Sequence, residues 1–230
     1  MTVALLIACI GWGCALPLAR QASFGGRGLE LDVYRPLRSS RPAPVVIFFH
    51  GGSWQVGNRQ SMSFVGRALA ESGYVAVVPD YRLYPPATFP DFIADGGDAV
   101  SWVIANASEH GGDPTRIVVM GHSAGAYIAL MLALDERYLG SNRQNLRAAV
   151  GLAGPYDFAP TVRLRPVFGD NDSDSFLPIA QIDGDEPPIL LVTGLLDEVV
   201  SPGNSFRLAR AVRRRGGAAE LAVYSRAGHA

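Results

Sequence analysis

The chain has 230 residues, 48% of them hydrophobic, and its 20 basic residues against 21 acidic ones leave a net charge of −1. That length fits one domain with a substantial core, and the near-zero charge argues against a nucleic-acid surface. Its two cysteines, Cys9 and Cys14, lie near the start and no two histidines stand at helical spacing, so the sequence carries no metal-ligand pattern.

Taken in chain order, residues 1–22 stand apart. Thr2 to Leu18 is largely apolar but is broken by Gly11, Gly13 and Pro17, which makes it a poor membrane span, and it lacks the basic start of a signal peptide. Leu6-Ile7-Ala8-Cys9 has the form of a lipoprotein processing box, with Gly13-Cys14 a weaker second one. Export, with possible membrane anchoring through this segment, is the expectation; a cytoplasmic protein with a start codon set too early is the alternative.

From Leu29 onwards, strand-type and helix-type runs alternate. Strands are expected near Leu29 to Tyr34 and Val45 to Phe49, a helix from Met62 to Ser72, a strand from Val75 to Val78 and a helix from Asp91 to Asn106. A polar turn around His110 leads into the strand Arg116 to Met120 and the helix Ala126 to Leu134. Strands follow at Ala148 to Leu152, Ile189 to Thr193 and Leu221 to Tyr224, with an amphipathic helix from Asn204 to Arg215 between the last two. Its closing Arg213-Arg214-Arg215 complements the helix dipole, and Gly216 stops it. Such alternation predicts an α/β fold with a mostly parallel central sheet and helices on both faces.

Four points in this pattern carry chemistry. Gly121-His122-Ser123-Ala124-Gly125 joins a strand directly to a helix, which holds Ser123 exposed on a strained turn where flanking side chains would collide. Asp197 stands in the loop after the strand Ile189 to Thr193, and His229 follows the last strand. A serine hydroxyl is a poor nucleophile at neutral pH, so an imidazole must take its proton and a carboxylate must orient that imidazole. His122, His50 and His110 sit in the elbow, in a glycine motif and in a polar turn, which leaves His229 as the base by position. The fourth point, His50-Gly51-Gly52-Ser53-Trp54, follows the strand Val45 to Phe49, where Gly52 and Ser53 are expected to donate backbone N–H groups to an oxyanion together with Ala124.

With these motifs in hand, the chain from about Leu29 to His229 resembles the α/β-hydrolase superfamily, and within it bacterial carboxylesterases with a His-Gly-Gly-x-Trp loop. Leu31 to Pro36, Val78 to Leu83 with Phe89-Pro90, and Gly111 to Ile117 share in that resemblance, which extends to feruloyl-esterase-like, arylformamidase-like and hormone-sensitive-lipase-like enzymes. It implies a hydrolase of carboxylic esters with the triad Ser123, Asp197 and His229, small-molecule substrates and no cofactor. Ser53 stands where lipase-type loops have a third glycine. An arylformamidase and a non-catalytic binding module of the same fold are the alternatives.

Between Gly154 and Pro188 the chain is short and polar where larger lipases insert a lid, so an open site and short acyl groups are expected. Trp54, His122 and Tyr156 are the candidate substrate contacts; Trp54 and Tyr156, with Phe158 and Phe168, line the site or serve as ordinary packing. Residues 23–230 then form the catalytic domain. Because proteins of this fold continue into a helix that pins the histidine loop, and only Ala230 follows His229, a shortened C-terminus and a loosely held imidazole are also expected.

Overall fold

The computed structural model describes residues 19–37, 41–169 and 174–229. The processing-box candidates at Cys9 and Cys14 lie outside the described residues. An eight-stranded sheet runs in the order β1-β2-β4-β3-β5-β6-β7-β8, with β2 antiparallel to both of its neighbours, β1 and β4, and every other neighbouring pair parallel. The strands are β1 Ala19–Phe24, β2 Leu29–Tyr34, β3 Ala43–Phe49, β4 Val75–Pro79, β5 Gly112–His122, β6 Leu146–Leu152, β7 Ile189–Gly194 and β8 Ala219–Tyr224. Helices α1 Ser63–Glu71, α2 Asp91–Asn106, α3 Ala124–Leu134, α4 Arg165–Phe168 and α5 Gly203–Arg214 connect them.

One correction concerns the start of the domain. β1 pairs with β2 from Ala19 opposite Tyr34 to Phe24 opposite Leu29, so residues 19–22 belong to the sheet and not to a separate segment. The hairpin turn places Gly25, Gly26 and Gly28 at positive φ, a conformation that glycine adopts without a Cβ clash.

Alternation along the strands divides the core. Val45, Ile47 and Phe49 of β3 pack with α2 and α3, whereas Phe48 packs on the other face with Ala70 and Leu69 of α1. α3 is buried at every residue, because it lies between the sheet and α2 and so needs no polar stripe. The opposite face is less fully covered, and Val150, Leu152, Leu190 and Val192 remain half-buried there.

Among the described residues, the segment after Gly154 forms no large lid. It is less open than its polarity suggests, since Val167 and Phe168 of α4, together with Phe176, are buried in the main core. Phe168 meets Trp54 edge-on at 4.8 Å, and the Tyr127 hydroxyl donates to the Phe176 carbonyl at 2.7 Å. Five aromatic rings, Trp54, Tyr127, Phe158, Phe168 and Phe176, thus tie this short cap to α3 and to the loop after β3.

Candidate functional site

Parallel strands bring their C-terminal ends to one edge of the sheet, and the loops that leave them meet there. β3 and β5 are neighbours, so the His50–Trp54 loop lies directly beside the elbow. β7 and β8 lie beyond β6, and their loops return the carboxylate and the imidazole toward the serine.

The elbow is strained as its glycines predict. Ser123 has φ 54 and ψ −118, a conformation costly for a residue with a side chain, and α3 starts at the next residue. A Cβ on Gly121 would lie 2.2 Å from the Gly125 backbone, and one on Gly125 would lie 2.1 Å from the Phe49 carbonyl oxygen. Only glycines let α3 begin this close to β3 and β5. Ala124 opens α3, so its N–H is among the first-turn donors that no helical carbonyl can reach.

The structure brings Ser123, His229 and Asp197 together. His229 Nε2 lies 2.9 Å from Ser123 Oγ, and His229 Nδ1 lies 2.8 Å from Asp197 Oδ2. A carboxylate only accepts, so Nδ1 carries the proton and Nε2 is left to accept from the serine hydroxyl. The other carboxylate oxygen, Oδ1, accepts the backbone N–H groups of Val199 and Val200 at 2.9 and 2.8 Å, which sets the carboxylate in one orientation. Its neighbour Glu198 is exposed.

The expectation of a loosely held imidazole is not met in this geometry. A Cβ on Gly194 would lie 2.2 Å from the Ala227 carbonyl oxygen, so the glycine lets the histidine loop close onto the acid loop. Leu196 N–H donates to that same carbonyl at 3.0 Å.

On the other side of the serine, Gly52, Ser53 and Trp54 have φ of 126°, 53° and 58° in succession. The Gly52 carbonyl accepts from Gln55 and Val56, and this tight turn places Ser53 beside Ser123 and Ala124 in the wall of one cavity. Gly52 itself lies one residue back from that wall, at the turn. His50, buried beneath the loop, stacks on Tyr81 at 4.3 Å, and the Tyr81 hydroxyl donates to the His50 carbonyl at 2.9 Å. Burial pushes the His50 imidazole below its ordinary pKa, so the loop rests on a neutral ring.

The cavity has a volume of about 340 Å³ and holds Ser123 and Ala124 at its base, with Trp54, Phe158, Leu164 and Val199 among its apolar walls. Two of the three candidate substrate contacts are corrected here. Tyr156 is wholly buried, its hydroxyl filling the space that Gly151 and Gly154 leave, and it is core packing. His122 does not line this cavity; its ring lies behind the elbow, with Nε2 2.7 Å from the His229 carbonyl oxygen. Trp54 does line it.

Several contributors carry no local sequence signal. Asn204 at the start of α5 accepts the N–H groups of Tyr156 and Asp157, both at 2.9 Å, and so fixes the cavity wall to the acid loop. Arg207, one turn on, pairs with Asp157 at the cavity edge. Arg59, beyond the His50–Trp54 loop, is buried among Glu30, Asp32 and Asp80 and ties the chain after that loop to β2 and to the residue that follows β4. Among the described residues, no group of three or more His, Cys, Asp or Glu could hold a metal ion.

Known proteins place this architecture. The "isoprenylcysteine alpha-carbonyl methylesterase ICME" of Arabidopsis thaliana is 30% identical over 223 residues, covering 85% of this chain and 52% of its own length. The chain spans about half the length of the curated relatives it matches. Among solved structures, esterase 2 of Thermogutta terrifontis phosphoramylated by tabun superposes with a TM-score of 0.82 at 25% identity, covering 94% of this chain and 86% of that one. The butyrate-bound form of that esterase gives a TM-score of 0.75 at 26% identity, covering 88% and 80%. The BD-FAE family model matches residues 31–212, from β2 through most of α5. With its mostly parallel sheet and strand-to-helix elbow, the chain belongs to the BD-FAE family and has the α/β-hydrolase fold.

Proposed function

We propose that the chain is a serine carboxylesterase that cleaves esters of short acyl groups through an acyl-enzyme. The observation that carries this reading is the continuous line Ser123 Oγ, His229 and Asp197 Oδ2, at 2.9 and 2.8 Å, beneath one open cavity. In this reading Ser123 attacks the ester carbonyl as His229 takes its proton. Asp197 holds the required tautomer and stabilises the imidazolium. The N–H groups of Gly52, Ser53 and Ala124 stabilise the tetrahedral oxyanion, as donors held in place before its charge develops. His229 returns the proton to the leaving alcohol, and a water, activated by the same imidazole, then releases the acid.

Esterase relatives and the butyrate-bound neighbour support an ester substrate with a short acyl chain. So does the cavity, whose volume of about 340 Å³ lies near the lower end of the roughly 300–1,000 Å³ usual for small-molecule sites. A long acyl chain gains about 0.8 kcal/mol per methylene only where apolar walls exclude water, and the cavity's volume of about 340 Å³ bounds how many methylenes its apolar walls, Phe158 and Leu164 of the cap among them, can cover.

The test is kcat/KM for p-nitrophenyl esters from acetate to palmitate, run beside N-formylkynurenine, for the wild type and Ser123→Ala. Expected are a maximum between acetate and butyrate and a loss of roughly 10³-fold or more in the folded Ser123→Ala protein. Near-wild-type turnover in that variant overturns the nucleophile; a steady rise toward palmitate overturns the acyl preference; faster formamide than ester cleavage favours the arylformamidase reading.

A further inference from the structure

His122 precedes the nucleophile in the elbow, yet its side chain turns away from the substrate cavity. Its Nε2 lies 2.7 Å from the carbonyl oxygen of His229, 107 residues later. A carbonyl oxygen only accepts, so Nε2 carries the proton and donates it. The two imidazole rings lie 4.9 Å apart. On the other side of the His122 ring, a Cβ on Gly51 would lie 3.0 Å from Nδ1 and 3.2 Å from Ser123 Cβ. The ring therefore joins the elbow to the loop carrying His229 and stands close enough to Gly51 that a side chain there would crowd it.

We infer that His122 is a positioning residue that sets the height of the His229 ring over Ser123 by holding the His229 main-chain carbonyl from the nucleophile's own strand. This assignment rests on the esterase reading above. The hydrogen bond acts on the backbone of the very residue whose ring must stay within reach of Ser123 Oγ. A displacement of about 1 Å there can cost on the order of 10²-fold in rate. Losing the donor would also remove the hydrogen bond that ties this part-buried carbonyl to the elbow.

The chemistry needs His122 to remain neutral. In the transition state His229 becomes an imidazolium, and a second cation 4.9 Å away would oppose it. Burial pushes the His122 pKa down, which keeps the ring a neutral donor. A carboxamide can replace that function, whereas a hydrocarbon cannot.

The experiment compares His122→Ala and His122→Gln in the full 230-residue chain, measuring kcat, KM and melting temperature with a short p-nitrophenyl ester. For His122→Ala, kcat is expected to fall roughly 10- to 100-fold with KM within about twofold. His122→Gln, whose amide nitrogen can stand near the place of Nε2, should recover most of the loss, and neither variant should lose activity in proportion to melting temperature. Wild-type kcat in His122→Ala, a glutamine variant no better than alanine, or a rise in KM at constant kcat overturns the assignment. Should His122→Ala fail to fold, His122→Phe keeps a ring without the N–H: a similar loss of kcat supports the role, and an unchanged kcat overturns it. Turnover that survives in Ser123→Ala defeats the esterase mechanism itself; a dead Ser123→Ala beside a fully active His122→Ala defeats only this inference.

Discussion

Asp197 presents one carboxylate oxygen to His229 Nδ1 at 2.8 Å while its other oxygen is occupied by two backbone N–H groups. The carboxylate cannot rotate without abandoning three hydrogen bonds, so it locks the imidazole tautomer as well as attracting it. Asp197→Asn keeps the shape but offers a donor where Nδ1–H needs an acceptor. Ester turnover should fall by roughly 10² to 10⁴, with the fold retained. Glu198→Gln, one residue on and exposed, should be nearly silent. Effects in the reverse order would show that the acid is misassigned.

Gly125→Ala probes the closeness of α3 to β3. The added Cβ would stand 2.1 Å from the Phe49 oxygen and 2.5 Å from that of His50, both main-chain atoms that have no rotamer with which to escape. Overpacking of this kind costs about 1–3 kcal/mol or more, and here the atoms displaced carry the elbow and the His50–Trp54 loop. Melting temperature and ester turnover should therefore fall together. A variant with both at wild-type values would refute the close contact.

Arg59 holds three carboxylates from separate elements. Arg59→Met leaves Asp32 and Asp80 facing each other without a cation. We expect a loss of roughly 2–3 kcal/mol, below the roughly 3–5 kcal/mol for a fully buried pair, because Glu30 keeps partial exposure to water. Urea denaturation measures it. A midpoint equal to wild type would mean that the three carboxylates find water instead.

The pH dependence of stability follows from buried neutral histidines. Burial lowers the folded-state pKa of both His50 and His122 below the ordinary value of 6.5, so the unfolded chain binds protons more readily than the folded one. The stability they contribute is complete above about 6.5 and is lost as the pH falls from there toward the folded-state pKa values. Asp183, held at about 2 by Arg143, acts in a separate window: its contribution is present above 3.8 and disappears as the pH approaches 2. Melting temperature should accordingly drop between pH 7.5 and pH 5, and the drop should be smaller in His50→Phe. A flat profile over that range contradicts the burial of these rings as neutral groups.

The chain's own order of residues determined the elbow, the acid loop, the terminal histidine and the α/β layering, because each is a local event. Glycines at Gly121 and Gly125, a strand before and a helix after, and a carboxylate just past Gly194 are legible without knowing what packs where. β1 was not legible: at the sheet edge, Ala19 to Phe24 shows no clean alternation, and its pairing is decided by the glycine turn and by β2. Tyr156 and Trp54 are both aromatic residues beside loops, yet one fills the space left by two glycines and the other faces a cavity. Local pattern cannot separate those fates, since both bury apolar surface equally well. His122 and Arg59 depend wholly on distant partners, His229 for the first and Glu30, Asp32 and Asp80 for the second. Backbone conformation is governed by near neighbours in sequence, whereas a hydrogen bond or ion pair between loops exists only once the sheet has brought the strand ends together, and that only the tertiary structure decided.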